Sequence, residues 1–249
     1  MNMSPAPEGI PPTVPEFLPE ARRLAALMRR FSAEELGRML RISPRLARET
    51  FDRYRSFDDP AAPQVPALFA YDGSVFRHIG PRTLPAAELR YAQPRLRIAS
   101  ALYGLLAPLD AIRAYRLEFA AKPDGLPGSL YDFWRPRLTA PLIAQAQVAG
   151  GILVNLGSLD LLPAFDIGLL TERVRLITPE FMERQHGGLQ TVRTYAKMAR
   201  GEMVRHILTH RIEQPEALKE FEWNGFAFSA KDSDASRYRF VRTHPSPRS

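Results

Sequence analysis

The chain has 249 residues, no cysteine and a formal net charge of +7 at pH 7, and the missing cysteines exclude disulfides, thiolate metal sites and thiol catalysis. Hydrophobic residues make up 45% and charged residues 24% of the sequence, a composition typical of a globular protein with a sizeable core. No apolar run approaches the roughly 20 residues that cross a bilayer, and the first residues lack a signal-peptide pattern, so we expect a cytoplasmic protein that does not enter the membrane.

Proline and glycine are frequent in residues 1–14, which predicts an irregular segment ahead of one domain over 15–249. Ser32 with Glu35 three residues later predicts a capping box at the start of a helix. Ser43 followed by Pro44 predicts the start of another. Apolar spacing and caps together predict helices at 15–30, 32–39, 43–54, 84–91, 130–147, 195–211 and 216–222.

Strands are predicted mainly in the second half of the chain. The apolar run 151–156 is typical of a strand buried on both faces. Residues 174–182 and 189–195 read as two strands joined by a hairpin turn at His186-Gly187-Gly188. Two edge strands around Phe226 and Phe240 close the chain.

The stretch 96–110 predicts two helices joined by a tight hairpin. Gly104 accommodates a left-handed backbone, and Pro108 suits the first turn of a following helix. Exposed backbone N–H groups at the start of that helix would attract phosphate. A purely structural role remains the alternative, because an apolar periodic run is also typical of a buried helix pair.

Several sequence blocks have a recognisable order and spacing. They read SALYGLLAPLD at 100–110, YRLE at 115–118, LYDFW at 130–134, NLGS at 155–158, YAKMARG at 195–201 and GFAF at 225–228. These blocks resemble those of the bacterial peroxide stress protein YaaA family, and the resemblance extends from about residue 15 to 242. Pro7 and Met198 stand where the family has lysines, so the chain resembles a divergent member.

The resemblance implies the fold and the function. The expected fold class is α+β: a single compact domain with a mixed sheet, surrounding helices and a helix-hairpin-helix element beside a basic cleft. The expected partner is duplex or branched DNA, bound through phosphate contacts with little sequence preference, in a protein that protects DNA against iron and peroxide. The surplus of cationic side chains agrees with a polyanionic partner.

The residues expected to contact DNA lie near the hairpin and on the helix at 195–211. Lys197 and Arg200 are three residues apart and so project from one helix face. Arg97 and Arg113 are chosen for their position beside the hairpin. The full set is Arg97, Ser100, Tyr103, Gly104, Arg113, Arg116, Lys197 and Arg200.

Two alternatives stay open. An enzyme acting on a nucleotide or nucleobase would place polar side chains and a carboxylate in one deep pocket, and the candidates are Tyr115, Glu118, Asp132, Asn155 and Ser158. A protein that binds an acidic protein partner would show a basic face crossed by an apolar patch. No cofactor or catalytic residue is predicted, and His206 and His210 lack a nearby third ligand for a metal.

Overall fold

Short helices and strands alternate along the chain in the computed structural model, which describes residues 1–7, 9, 11–185 and 188–243. The α-helices are α1 (Leu18–Met28), α2 (Ala33–Leu40), α3 (Pro44–Arg55), α4 (Ala67–Ala70), α5 (Ser74–Ile79), α6 (Ala86–Arg95), α7 (Leu130–Val148), α8 (Ile167–Arg173) and α9 (Arg193–His210). The strands are β1 (Val65–Pro66), β2 (Ile98–Ser100), β3 (Gly104–Leu106), β4 (Ala111–Ile112), β5 (Ile152–Val154), β6 (Arg175–Gln185), β7 (Gly188–Gln190), β8 (Ala227–Phe228) and β9 (Arg237–Thr243). Turns of 3₁₀ helix lie at Pro81–Thr83, Leu159–Ala164, Pro215–Glu220 and Ala230–Asp232.

The predicted caps of α2 and α3 are confirmed. The Glu35 N–H donates to Ser32 Oγ at 3.2 Å, and the Ser32 N–H donates to Glu35 Oε2 at 2.7 Å. These hydrogen bonds, the backbone one first, lower the pKa of the Glu35 carboxyl. The Leu46 N–H donates to Ser43 Oγ at 3.4 Å, with Pro44 in the first turn of α3. Both helices begin where side-chain acceptors satisfy N–H groups that the helix itself leaves unpaired.

The largest sheet is mixed and follows the order β5-β6-β9-β8, with β7 also on β6. Strands β5 and β9 run parallel to β6, whereas β7 is antiparallel to β6 and β8 is antiparallel to β9. The prediction that β9 is an edge strand was therefore wrong, since it lies between β6 and β8. The predicted hairpin of β6 and β7 is confirmed as a strand pair, although His186 and Gly187 of its turn lie outside the described residues.

One edge of β6 is covered only at its two ends by described strands. Strand β5 pairs with Arg175–Ile177 and β7 with Glu183–Gln185. The Arg175 N–H donates toward β5, and the Thr178 N–H donates to Ser236 on the other edge. Because backbone groups alternate between edges, the Pro179 nitrogen faces the uncovered part of the first edge. A proline fits there because no strand partner needs its missing N–H.

Two hydrophobic clusters form the core. The larger one gathers side chains from α1 to α9 around Trp134 and the β2–β3 hairpin. The smaller one lies between the large sheet and α9 and includes Ala199, Met203 and Phe240. Leu156, just after β5, packs against both clusters. The chain is thus a single compact α+β domain, as predicted.

The predicted helix pair at 96–110 was wrong, because β2 and β3 form an antiparallel hairpin there. Ile98 pairs with Leu106 and Ser100 with Gly104. The Tyr103 N–H donates to Ser100 Oγ at 2.9 Å, which closes the turn. A short apolar run fits a buried strand as well as a helix, and periodicity alone cannot separate the two.

Three smaller predictions also need correction. The run at 151–156 forms a strand only at β5, and its side chains are half-buried instead of buried on both faces. The segment expected to be a helix at 216–222 is a 3₁₀ helix at Pro215–Glu220. The predicted strand 189–195 ends at Gln190, and α9 begins at Arg193.

Candidate nucleic-acid interface

Three cationic side chains form a row along α9. Arg193, Lys197 and Arg200 follow one another at intervals of four and three residues, which places them on one side of the helix. The row spans about 10 Å along the helix axis. None of the three forms an ion pair within the described part of the chain. We call these residues the α9 cationic row.

The side of α9 next to the row is fixed by close packing. A Cβ atom at Gly201 would lie 2.2 Å from the Val75 carbonyl oxygen on α5, which is closer than any real contact. Next to it, His78 Nδ1 and Glu202 Oε1 are 2.9 Å apart. Glycine therefore allows α5 and α9 to cross closely, and this crossing sets the direction in which the cationic row points.

Arg200 is the most enclosed member of the row. Burial lowers the pKa of its guanidinium, and the nearby Asp160 carboxylate partly offsets that effect. An arginine keeps its charge in such surroundings. Its side-chain N–H groups donate to no acceptor among the residues that the structure describes. A partly desolvated guanidinium with unused donors is well suited to an anionic oxygen, because the interaction is less screened than at an open surface.

The turn after β5 leads toward α9, since Asp160, two residues beyond Ser158, lies near Arg200. The Asn155 N–H donates to the Ile177 carbonyl at 2.7 Å, and Asn155 Oδ1 accepts the Gly157 N–H at 3.1 Å. Ser158 follows in an extended conformation, and its hydroxyl makes no capping bond to the 3₁₀ helix that comes next. The turn thus places a hydrogen-bonded polar backbone and one hydroxyl directly after β5.

The hairpin residues that were predicted to contact phosphate are in the protein interior. Ser100 and Tyr103 are buried, and the Tyr103 N–H donates to Ser100 Oγ. Near Pro108 the Ala107 and Leu109 N–H groups donate to the side chains of Asp110 and Gln93, so the N–H groups expected to be exposed there are already bonded. Tyr115 Oη lies 2.7 Å from Ser100 Oγ and 2.7 Å from Tyr71 Oη. Burial raises the pKa of Tyr71, Tyr103 and Tyr115, so these phenols stay neutral. The network holds the hairpin together.

The three arginines predicted beside the hairpin have different roles. The half-buried Arg97 donates to the carbonyls of Gln93 at 2.9 Å and Leu96 at 2.8 Å, and also to the side chain of Gln145. Arg113 donates to carbonyls at the end of α3, including those of Ser56 and Phe57. Both are therefore engaged in holding the fold. Arg116 is exposed, and its guanidinium has no hydrogen bond among the described residues.

The residues proposed for an enzyme pocket do not come together in the cavity beside α1 or in the one between α7 and α8. Tyr115 is buried beneath the hairpin, whereas Glu118 is exposed. Asp132 accepts hydrogen bonds from the Ser129 N–H at 2.8 Å and the Ser129 hydroxyl at 2.7 Å, and so caps α7. It borders a cavity of about 380 Å³ between α7 and α8, which contains none of the other four.

Within the described ranges, no group of three histidine, aspartate or glutamate side chains is arranged to hold a metal ion. The rings of His206 and His210 are 4.3 Å apart, but His210 Nδ1 lies 3.0 Å from the His206 carbonyl. Over the same residues, no helix has the length and hydropathy needed to span a bilayer.

The sequence analysis names Lys197 and Arg200 as candidates but omits Arg193 and the packing role of Gly201. Arg193 precedes Lys197 by four residues, so helical spacing was a usable signal. The close approach of α5 to Gly201 is a contact between residues far apart in the sequence, so no local sequence pattern predicts it. Asp160 near Arg200 is a contact of the same non-local kind.

Comparison with known proteins decides the family. The sequence profile described as peroxide stress protein YaaA matches residues 1–232. The chain belongs to the YaaA family of peroxide stress proteins. A UPF0246 protein of Bacteroides fragilis is 44% identical over 230 residues, which cover 92% of this chain and 90% of the relative. UPF0246 proteins of Parabacteroides distasonis and Cereibacter sphaeroides are 40% and 38% identical and cover 95% of this chain and 92% of each relative.

Membership in the YaaA family supports a role in peroxide stress. The α9 cationic row overlaps one of the sequence blocks that carry the resemblance, 195–201, and the Asn155 turn is another. In this chain the first block supplies Lys197, Arg200 and the glycine of the helix crossing.

Proposed function

We propose that this YaaA protein binds duplex or branched DNA in the cytoplasm during peroxide stress and limits iron- and peroxide-driven damage. The α9 cationic row is the main contact, and Ser158 and the turn before it form the neighbouring wall of a basic cleft. The observation that carries the proposal is the set of three cations on one helix side, unpaired among the described residues and one of them partly desolvated.

The spacing of the row suits a polyphosphate. One DNA strand carries a phosphate every 3.4 Å or so along the helix axis, so about 10 Å of cationic surface faces about three phosphates. Arg200 offers a planar fork of donors to phosphate oxygens, and Lys197 acts as a mobile point charge. Contacts of this kind position a protein on DNA without reading its sequence.

The β-hairpin changes the expected binding mode. Its Ser100 and Tyr103 are buried, so the hairpin supports the fold behind the interface instead of presenting backbone N–H groups to DNA. Arg116 is the one predicted cation of this region that remains exposed without a described hydrogen bond, and it is available to extend the contact. Phosphate recognition in this proposal comes from side chains on α9.

Fluorescence anisotropy of a labelled random-sequence duplex tests the proposal. Lys197→Ala/Arg200→Ala is expected to weaken binding by about 100-fold or more at low salt, because charged hydrogen bonds contribute roughly 1.5–3 kcal/mol each. The matched control is Arg22→Ala/Arg30→Ala, which removes the same charge from exposed positions on and just after α1.

The two variants separate a located interface from a general charge effect. The proposal expects the control to bind nearly as tightly as the unmodified protein. No DNA binding at low salt would refute DNA as the partner. Equal losses in both variants would refute the α9 row as the contact.

A further inference from the structure

A cavity of about 280 Å³ lies between α1 and the loop that leads into α7, and we call it the α1 cavity. Two arginines line it, Arg23 and Arg30, together with apolar side chains of α1 and with Gly125 and Leu126 of the loop. No carboxylate is among its lining residues, whereas two aspartates line the cavity between α7 and α8. The α1 cavity thus combines an apolar interior with two cations.

The two walls of the α1 cavity meet at Gly125. This glycine has a φ of 100°, and a Cβ atom there would lie 2.9 Å from Leu27 Cδ1 on α1. Glycine therefore lets the loop backbone lie directly against the helix. The Leu130 N–H donates to the Ala121 carbonyl at 3.1 Å, which joins the two ends of the loop, and Leu126 packs against the larger core cluster. Packing and a backbone hydrogen bond thus set the shape of the cavity.

Both arginines of the α1 cavity have unused donors. Arg23 lies on α1 and Arg30 two residues after its end, and seven residues along a helical path span about 10 Å. Within the described ranges neither guanidinium has an ion pair or a hydrogen bond, whereas the neighbouring Arg29 pairs with Asp58 at 3.0 Å. The cavity therefore offers two separate sites for anionic oxygens.

This lining suits a linear organic dianion. A guanidinium binds a carboxylate through two parallel N–H donors, so each arginine can hold one carboxylate. Leu24, Leu27 and Leu126 provide apolar surface that an aliphatic chain would cover, and both surfaces would leave water. A volume of about 280 Å³ is near the lower end of the roughly 300–1,000 Å³ typical of small-molecule sites. The cavity therefore fits a small molecule.

We propose that the α1 cavity binds a linear aliphatic dicarboxylate, with one carboxylate on Arg23, the other on Arg30 and the chain on the leucines. The site uses no residue of the α9 cationic row, so the inference is independent of the proposed DNA binding. A dicarboxylate long enough to reach both arginines gains two charged contacts. A shorter dicarboxylate or a monocarboxylate gains only one.

Suberate, a linear aliphatic dicarboxylate, is the probe, and NMR titration of the isotope-labelled protein follows its binding. The unmodified protein is expected to show saturable shifts of the Gly125 and Leu126 amide signals. Octanoate has the same chain with one carboxylate, and succinate has two carboxylates on a shorter chain. Each is expected to bind about tenfold more weakly than suberate, because each loses one charged contact.

Arg23→Gln and Arg30→Gln are each expected to weaken suberate binding about tenfold for the same reason. Arg22→Gln is the matched control, since Arg22 is exposed next to Arg23 but does not line the cavity. It is expected to bind suberate like the unmodified protein, and circular dichroism confirms that each variant is folded.

Three results would overturn the proposal. They are the absence of saturable suberate binding, equal affinities for suberate, octanoate and succinate, and equal losses in Arg22→Gln and Arg30→Gln. Each of them leaves DNA binding by the α9 cationic row standing, because that binding is measured separately.

Discussion

Gly104 combines a positive φ of 72° with very close packing. A Cβ atom there would lie 2.8 Å from Trp134 Cζ3 and 3.0 Å from Leu138 Cδ2. The indole N–H of Trp134 also donates to the Ala101 carbonyl at 2.8 Å, inside the same turn. The glycine therefore lets the β2–β3 hairpin rest on α7, and its importance follows from packing instead of phosphate binding.

Gly104→Ala is expected to lower the free energy of unfolding by about 2–4 kcal/mol, because left-handed strain and overpacking both act there. Urea unfolding measures the change. Gly150→Ala is the control, since Gly150 has a φ of 101° but a Cβ atom there would meet no other atom within 4 Å. It isolates backbone strain, so equal losses in both variants would contradict the packing role of Gly104.

Local signals predicted the residues at helix ends better than those in contact across the fold. The Ser32–Glu35 and Ser43–Pro44 signals depend on neighbours in sequence, and the structure confirms both. Arg97 and Arg113 were chosen for their place in the sequence, yet they bond to carbonyls and side chains that no local pattern reveals.

Among the elements, α7 contacts both the β2–β3 hairpin and the 3₁₀ helix at Leu159–Ala164. The N-terminus of α7 has a defined cap. The Ser129 N–H and hydroxyl both donate to Asp132. These bonds, the hydroxyl one first, lower the pKa of the Asp132 carboxyl. A carboxyl with a lower pKa in the folded state adds stability above its unfolded pKa, and that stability is lost as the pH falls through the folded value.

Asp132→Asn is therefore expected to lower Tm most near neutral pH. The difference from the unmodified protein should stay nearly constant down to about pH 5 and shrink as the pH falls below about 4, the unfolded value, and through the lower folded pKa. Differential scanning calorimetry across this range measures it. Glu118→Gln is the control, because Glu118 is exposed without a described ion pair. A pH-independent difference for Asp132→Asn would contradict the role of the ionised cap.

The spacing of apolar residues predicts the long helices of this protein but not its short strands. Helices α7 and α9 were predicted almost to their ends, because each is long and has clear boundaries. The hairpin β2–β3 was mistaken for helices, since three-residue apolar strands carry too little pattern. The internal place of β9 depends on pairing with β6 about 60 residues earlier, which the sequence of β9 alone does not encode.

For the whole molecule, net charge indicates a partner class but does not locate the interface. Many arginines are engaged internally: Arg242 pairs with the buried Glu183 and stacks on Tyr195, and Arg205 donates to the carbonyl at the end of α5. In the α9 cationic row, by contrast, three cations without an ion pair among the described residues lie on one side of a single helix, and one of them is partly desolvated. The family assignment supports a role in peroxide stress, and the arrangement of the row makes the proposed DNA binding testable.

The salt dependence of DNA binding tests the central claim most directly. The logarithm of the binding constant should fall linearly with the logarithm of salt concentration, with a slope near about −2.7 or steeper if about three phosphates are contacted. Lys197→Ala/Arg200→Ala should reduce the steepness by about 1.8, at roughly 0.9 for each lost contact. A slope that is the same in the double variant and the unmodified protein would contradict phosphate binding by the α9 cationic row.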